Sequence, residues 1–243
     1  MYTFNSRIRY SETDERGALS LLGVVNYMQD CSTFQSEDAR VGLNYLGENK
    51  KAWLLASWQL CIQRYPKLGE HIAVSTWPNR VKGIYGYRNF QIKDEAGNSL
   101  VKAASVWFLY DTEKEVPVRV MPEDIAPYGR EEPPLLMPPA PRRVLIPDTY
   151  MTGSPILVAG HHIDTNHHVN NAMYVEMARE ALPGELLVEE LQIDYKKAAR
   201  LGDVLIPRIT GNEDGSWTVI LAGESGEACA AVWLKGTRKG SKL

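Results

Sequence analysis

Three short landmarks occur twice along this chain, in the same order. Gly23-Val24-Val25-Asn26-Tyr27-Met28-Gln29 is echoed by Asn170-Asn171-Ala172-Met173-Tyr174-Val175-Glu176. Leu68-Gly69-Glu70 is echoed by Leu201-Gly202-Asp203, and Ala104-Ser105-Val106-Trp107-Phe108 by Ala230-Ala231-Val232-Trp233-Leu234. The offsets are 147, 133 and 126 positions, so the left copy is longer between its first two landmarks. Three ordered matches point to a duplicated unit. Between the copies, residues 122–147 hold eight of the chain's 14 prolines. Each proline fixes φ and removes a backbone donor, so this stretch reads as an extended, semi-rigid connector. The expected organisation is residues 1–121, a connector over 122–147, and residues 148–243.

Each half has the same pattern of elements. In the left half Tyr2, Phe4 and Ile8 suggest a strand, and Val24, Met28, Cys31 and Gln35 a helix that extends towards or past Ala39. In the right half Asn170, Tyr174, Met177, Ala178 and Ala181 form a helical stripe that ends at Pro183-Gly184. Alternating strands follow, through Leu54, Ala56, Trp58, Leu60 and Ile62 on one side and Leu187, Leu191, Ile193 and Tyr195 on the other. Asp94–Asn98 and Asn212–Ser216 read as hairpin turns. One helix followed by an antiparallel meander, twice over, is an α+β pattern, and wrapping the sheet around the helix buries both.

The chain has 243 residues, 27 Lys and Arg against 30 Asp and Glu, and a net charge of −3. That balance excludes a globally basic nucleic-acid binder. No apolar run reaches the ~18 residues of a membrane span, and no signal peptide is evident. Cys31, Cys61 and Cys229 are odd in number and lack CxxC spacing, so reduced thiols in a cytoplasmic protein are expected. Ser241-Lys242-Leu243 spells a peroxisomal address, which is read here as coincidence.

Four of the five histidines fall within His161-His162-Ile163-Asp164-Thr165-Asn166-His167-His168. A metal site, a polar helix cap and a catalytic loop are all readings of this segment. Adjacent histidines diverge and no second ligand cluster appears, which weighs against metal. Asn170 suits a helix N-cap under any reading. The spacing i, i+2, i+4 would put Asp164, Asn166 and His168 on one face of an extended segment, with Thr165 and His167 opposite. A carboxylate, an amide and a proton-accepting imidazole would then meet at a helix start, whose free N–H groups suit an oxyanion.

The run Asp164-Thr165-Asn166-His167-His168-Val169-Asn170-Asn171, with Tyr174 after it, resembles the D-x-N-x-H-V-N-N signature of acyl-acyl-carrier-protein (acyl-ACP) thioesterases. Ser75-Thr76-Trp77-Pro78, Arg88-Asn89-Phe90, Trp107, Asp111-Thr112-Glu113 and Pro117-Val118-Arg119 resemble that family's first half. The resemblance implies a tandem, or double, hotdog and a hydrolase releasing free fatty acid from acyl carrier protein. It assigns Asp164, Asn166 and His168 as catalytic, while the helix start at Val169, Asn170 and Asn171 is the candidate oxyanion site on its free N–H groups. The left half lacks Asn and His at Arg16-Gly17-Ala18-Leu19-Ser20, so that half would house the acyl chain. Tyr195-Lys196-Lys197-Ala198-Ala199 departs from the family pattern, which has an acid and often a cysteine at its last two positions. Glu176 and Glu180 are the nearest acids on the helix, and both read as solvent-facing.

No metal or organic cofactor is expected. His168 acting as base on water and direct attack by Asp164 remain alternative routes. An acyl-CoA thioesterase and a weakly catalytic acyl-thioester-binding protein remain alternative functions; a hotdog dehydratase fits less well. The resemblance implies an acidic carrier, for which Arg142, Arg143, Lys196, Lys197 and Arg200 are the candidate docking cations. No nucleic acid or membrane partner is expected. A fused pair of units leaves the oligomeric state, homodimer included, open.

Overall fold

Two helix starts, 150 residues apart, organise the computed structural model, which describes residues 1–139 and 143–238. Ser20 Oγ accepts from the Gly23 N–H at 3.0 Å and begins α1 (Leu21–Asp38). Asn170 Oδ1 accepts from the Ala172 N–H at 2.9 Å and begins α4 (Asn171–Glu180). Each side-chain oxygen satisfies an amide that the first helical turn leaves unpaired. The chain divides into two units: Met1–Ala56 with Cys61–Pro138, and Ser57–Leu60 with Pro139–Leu243.

The first unit contains β1 (Tyr2–Arg7), α1, α2 (Leu43–Glu48), β2 (Lys51–Ile62) apart from its Ser57–Leu60 stretch, β3 (His71–Lys82), β4 (Tyr85–Asp94), β5 (Ser99–Asp111), β6 (Val116–Pro117) and α3 (Pro122–Ile125). Its strand order is β1-β3-β4-β5-β2, with β6 beside β5. Val24, Met28, Cys31 and Gln35 line the buried face of α1, which packs on β3. The helix stops at Asp38, short of the expected reach, because Arg40 turns left-handed at φ 59°. The interior of this unit has a polar seam. Arg88 Nη1 donates to Gln35 Oε1 and, at 3.1 Å, to Thr76 Oγ1, and its guanidinium lies 5.1 Å from the Tyr128 ring centroid. Burial lowers the Arg88 pKa to about 10, so it stays charged at neutral pH.

The second unit contains β7 (Met151–Thr152), β8 (Ile156–Leu157), α4, β9 (Leu186–Tyr195), β10 (Val204–Gly211), β11 (Trp217–Gly223) and β12 (Ala228–Arg238). Its order is β9-β12-β11-β10-β7, with β8 also on β10. Ala172, Val175 and Ala178 of α4 are fully buried, as are Ile193, Val219 and Val232 of the strands. Full burial of each large aliphatic side chain contributes about 1.5–3 kcal/mol. Leu191 and Ile193 point inward as expected, but Leu187 is exposed and Leu186 and Val188 are buried instead. A β-bulge explains the change of parity: Lys235 pairs with Glu190 and Gly236 with Val188, which leaves Glu189 over. A Cβ at Gly236 would lie 1.9 Å from the Leu187 carbonyl oxygen, so only glycine fits there.

The division at Pro138/Pro139 falls inside the proline-rich stretch. That stretch is not extended throughout. Pro122 opens α3 at its first turn, where a missing N–H costs nothing, and a 3-10 turn follows at Ala126–Tyr128. Farther on, the Glu132 N–H donates to the Pro78 carbonyl at 3.0 Å and Trp77 Nε1 to the Pro133 carbonyl at 3.0 Å. In the second unit the Val144 N–H donates to the buried Asp194 Oδ2 at 2.8 Å, and Val144 packs on Ile220 and Ala231. Arg142 and Ser241-Lys242-Leu243 lie outside the described residues.

Candidate active site

The segment before α4 is a closed turn and not the extended run that the i, i+2, i+4 spacing suggests. A 3-10 turn at Gly160–His162 leads into a bridge between Ile163 and Val169. Within it the Asp164 N–H donates to the His168 carbonyl at 2.9 Å, and the His167 N–H to the Asp164 carbonyl at 3.0 Å. Asp164 Oδ1 accepts from the Asn166 N–H at 2.8 Å. His167 takes the corner with φ 61°, a conformation that suits glycine better. The face-sharing expectation is therefore corrected. Asp164 and His168 are neighbours because they flank the turn, Asn166 sits at its exposed tip, and His167 forms the bend.

Among the described residues, Asp164 Oδ2, the Asn166 carboxamide and the His168 imidazole have no hydrogen-bond partner, so all three are open to a ligand. The histidines before them are differently used. His162 Nδ1 accepts from the Ala159 N–H at 3.0 Å, and burial, then the charge of His161, lowers its pKa. Among the described residues no group of three or more His, Cys, Asp or Glu is placed to hold a metal.

Two of the three backbone donors at the helix start are already spent. The Val169 N–H is spent on the Ala199 carbonyl at 2.9 Å and the Asn170 N–H on the His162 carbonyl at 2.8 Å. Neither is available to an oxyanion. The Asn171 N–H, at the first helical position, is the one of the three without a partner among the described residues.

The first unit builds the same turn 150 positions earlier. Thr13 bridges Leu19, the Asp14 N–H donates to the Ala18 carbonyl at 2.9 Å, and the Gly17 N–H to the Asp14 carbonyl at 3.0 Å. The Arg16 N–H donates to Asp14 Oδ1 at 2.9 Å, and the Leu19 N–H to the Pro66 carbonyl at 2.7 Å. Gly17, at φ 67°, is the counterpart of His167. The side chains differ. Arg16 Nε donates to Asp14 Oδ2 at 2.9 Å, and its guanidinium lies 5.1 Å from the Tyr65 ring centroid. Burial alone would raise the Asp14 pKa, but the Arg16 hydrogen bonds and charge outweigh it and lower the value. The twin turn is thus occupied by its own ion pair. Its sequence signal was present: an Asp, five residues on an aliphatic residue, then a Ser or Asn cap.

This equivalence shifts the first echo from 147 to 150 positions, so Tyr174 corresponds to Val24 and not to Tyr27. The second echo keeps its offset of 133: Pro66 and Ala199 play the same part, and so Tyr65 corresponds to Ala198. Ala198 is exposed and Ala199 is 1% exposed. Glu176 is bound by Arg179 at 2.6 Å and Glu180 lies 3.7 Å from the same side chain, so neither helix acid is directed at the turn.

Among the docking cations Lys196, Arg200 and Arg143 are exposed. Lys197 Nζ bonds Glu227 Oε2 at 2.6 Å with both side chains largely in water. Cys31 and Cys229 are buried and Cys61 is half-buried; none of the three is in a disulfide among the described residues. Burial raises the Cys31 pKa to about 12. No helix among the described residues is long and apolar enough to cross a membrane.

A main helix packed on an antiparallel sheet, built twice with a duplicated turn, places the molecule among tandem hotdog proteins. The models of the acyl-ACP thioesterase N-terminal and C-terminal domains match residues 1–128 and 149–232, and the chain belongs to that family. A chloroplastic palmitoyl-acyl carrier protein thioesterase of Cuphea hookeriana is 24% identical over 222 residues, 83% of this chain and 52% of that protein. Its Arabidopsis thaliana namesake is 23% identical over 87% of this chain and 56% of its own length. The chain spans about half the length of these curated relatives. An acyl-ACP thioesterase from Bacteroides thetaiotaomicron superposes with a TM-score of 0.84 at 21% identity, covering 96% of each chain. The 12:0-ACP thioesterase from Umbellularia californica does so at 0.84 and 18%, covering 98% and 97%. These two likenesses establish the fold.

Proposed function

We propose that this chain hydrolyses the thioester between a fatty acyl group and acyl carrier protein. One observation carries the reading: of two turns with the same backbone bonds, only that of the second unit leaves a carboxylate oxygen, a carboxamide and an imidazole unpaired at a helix start. In this reading His168 removes a proton from water as the water oxygen attacks the thioester carbonyl. The negative oxygen that forms is met by the Asn171 N–H, an interaction of a kind worth roughly 3 kcal/mol. The carbon–sulfur bond then breaks, and the proton held by His168 passes to the departing sulfur. The products are a free fatty acid and the carrier's thiol. Asp164 and Asn166 orient the imidazole and the water. The first unit, whose own turn is closed by Arg16, houses the acyl chain. The setting is the cytoplasm, a reading supported by three cysteines that form no disulfide among the described residues.

The test is release of free acid and thiol from matched acyl-ACP and acyl-CoA substrates. The proposal expects higher kcat/KM on the carrier protein. A preference for acyl-CoA would reassign the carrier, and binding without release of acid would make the chain an acyl-thioester-binding protein.

A further inference from the structure

The two turns share their backbone bonds but not what holds them in place. In the second unit the Tyr174 hydroxyl, one turn into α4, accepts from the Ala199 N–H at 2.8 Å. The Ala199 carbonyl in turn accepts from the Val169 N–H, directly after His168. Tyr195, at the end of β9, donates its hydroxyl to the Asn171 carbonyl at 2.9 Å. The two rings meet edge to face with centroids 5.9 Å apart. Tyr174 is 3% exposed, and burial raises its pKa to about 12, so it is a neutral phenol at working pH. In the first unit the equivalent positions are Val24 and Ile62, buried aliphatic residues that can make neither bond.

We propose that Tyr174 and Tyr195 are positioning residues for the candidate catalytic turn. They tie the helix start and the strand end to each other, so that His168 and the Asn171 N–H keep a fixed separation. The twin turn is closed by its own Arg16–Asp14 ion pair and carries no open polar set. Where an imidazole and an oxyanion donor must act on one carbonyl, errors of about 1 Å cost up to 10²-fold in rate. Neither phenol is required to touch the substrate. The inference rests on the thioesterase reading.

The test compares Tyr174→Phe and Tyr195→Phe with Tyr27→Phe. Tyr27 is a buried tyrosine of the first unit whose hydroxyl meets Ser6 Oγ at 3.0 Å and Glu12 Oε2 at 2.8 Å. On acyl-ACP, below every variant's Tm, each of the first two should lower kcat about 10-fold with KM within about twofold. Tyr27→Phe should leave kcat within about twofold. Unchanged kcat in both tyrosine variants, or an equal fall in Tyr27→Phe, overturns the proposal. If Tyr174→Phe does not fold, Tyr195→Phe decides. If the wild type releases no acid, the thioesterase reading fails, and the Val169 amide then tests the lock. Its hydrogen exchange should quicken in Tyr174→Phe, and unchanged protection would count against the lock.

Discussion

His167 and His168 are adjacent, yet the turn gives them different work. His168 flanks the turn beside Asp164 with its imidazole unpaired, whereas His167 bends the chain in a left-handed conformation. His168→Ala should lower kcat at least about 100-fold, the scale of a lost general base. His167→Ala should cost less than about threefold; comparable losses in steady-state assays would contradict these roles. Stability should show the reverse order. A β-branched side chain is strained in the left-handed region, so His167→Val should destabilise the fold by about 1–2 kcal/mol in urea unfolding, with His167→Gly near neutral. Position 198 follows from the twin. Tyr65 faces Arg16 in the first unit, so a side chain at 198 faces Asn166 in the second. Ala198 is exposed, and a longer side chain there meets no packed core. Ala198→Glu should therefore raise kcat or leave it unchanged on acyl-ACP. A large loss in a folded variant would show that the strand end is aligned wrongly with the family's acid.

The elements were legible in the sequence wherever a single period governs them. The stripe from Val24 to Gln35, the Asn170 cap and the turns at Asp94–Asn98 and Asn212–Ser216 are where the residues put them. Two features were not legible. The i, i+2, i+4 spacing fits an extended segment and a closed turn equally, and what closes the turn is backbone pairing between Ile163 and Val169. The 147-residue echo aligned the helices three positions out of step, because three residues are nearly one turn and preserve the buried face. Contacts such as Tyr174 with Ala199 join residues 25 apart and leave no local pattern. The 3-10 turn before the site makes a pH prediction. The folded state lowers the His162 pKa from its ordinary 6.5, so the neutral ring, accepting from Ala159, is the form that folding favours. Its contribution is fully present above pH 6.5 and is lost as the pH falls through the lower folded value. Tm measured from pH 7.5 downward should fall less in His162→Asn, which keeps an acceptor and does not titrate, than in the wild type. Identical slopes would exclude His162 as a source of acid sensitivity.

At the scale of the whole molecule the net charge is −3, so an acidic carrier is not drawn in by overall attraction, and docking needs a local cationic surface. In the second unit the candidate surface lies one short segment from the turn. Lys196 and Arg200 are exposed and Lys197 spans to Glu227, an exposed pair that contributes little to stability. Beside them the Val158 N–H donates to the Asp203 carbonyl at 2.8 Å and the Gly202 N–H to the Val158 carbonyl at 3.0 Å. These bonds bring Leu157 and Leu201, 62% and 65% exposed, alongside the cations. The first unit has Arg7 and Leu68 at the matching places, and its own turn is closed by Arg16 on Asp14. A patch of cations around exposed leucines beside the turn suits an acidic partner that delivers its thioester there. Rim charges act mainly on encounter rate and salt dependence. Reversing Lys196, Lys197 and Arg200 to Glu should lower kcat/KM on acyl-ACP about 10-fold, with a small uncharged thioester affected less than twofold. Reversal of Lys197 also sets a carboxylate beside Glu227, which deepens the repulsion of an acidic carrier. The wild-type rate on acyl-ACP should fall as ionic strength rises past ~0.15 M, where the Debye length is about 8 Å. If the triple reversal leaves that rate intact, the carrier docks elsewhere, and the exposed Arg143 is the next cation to reverse.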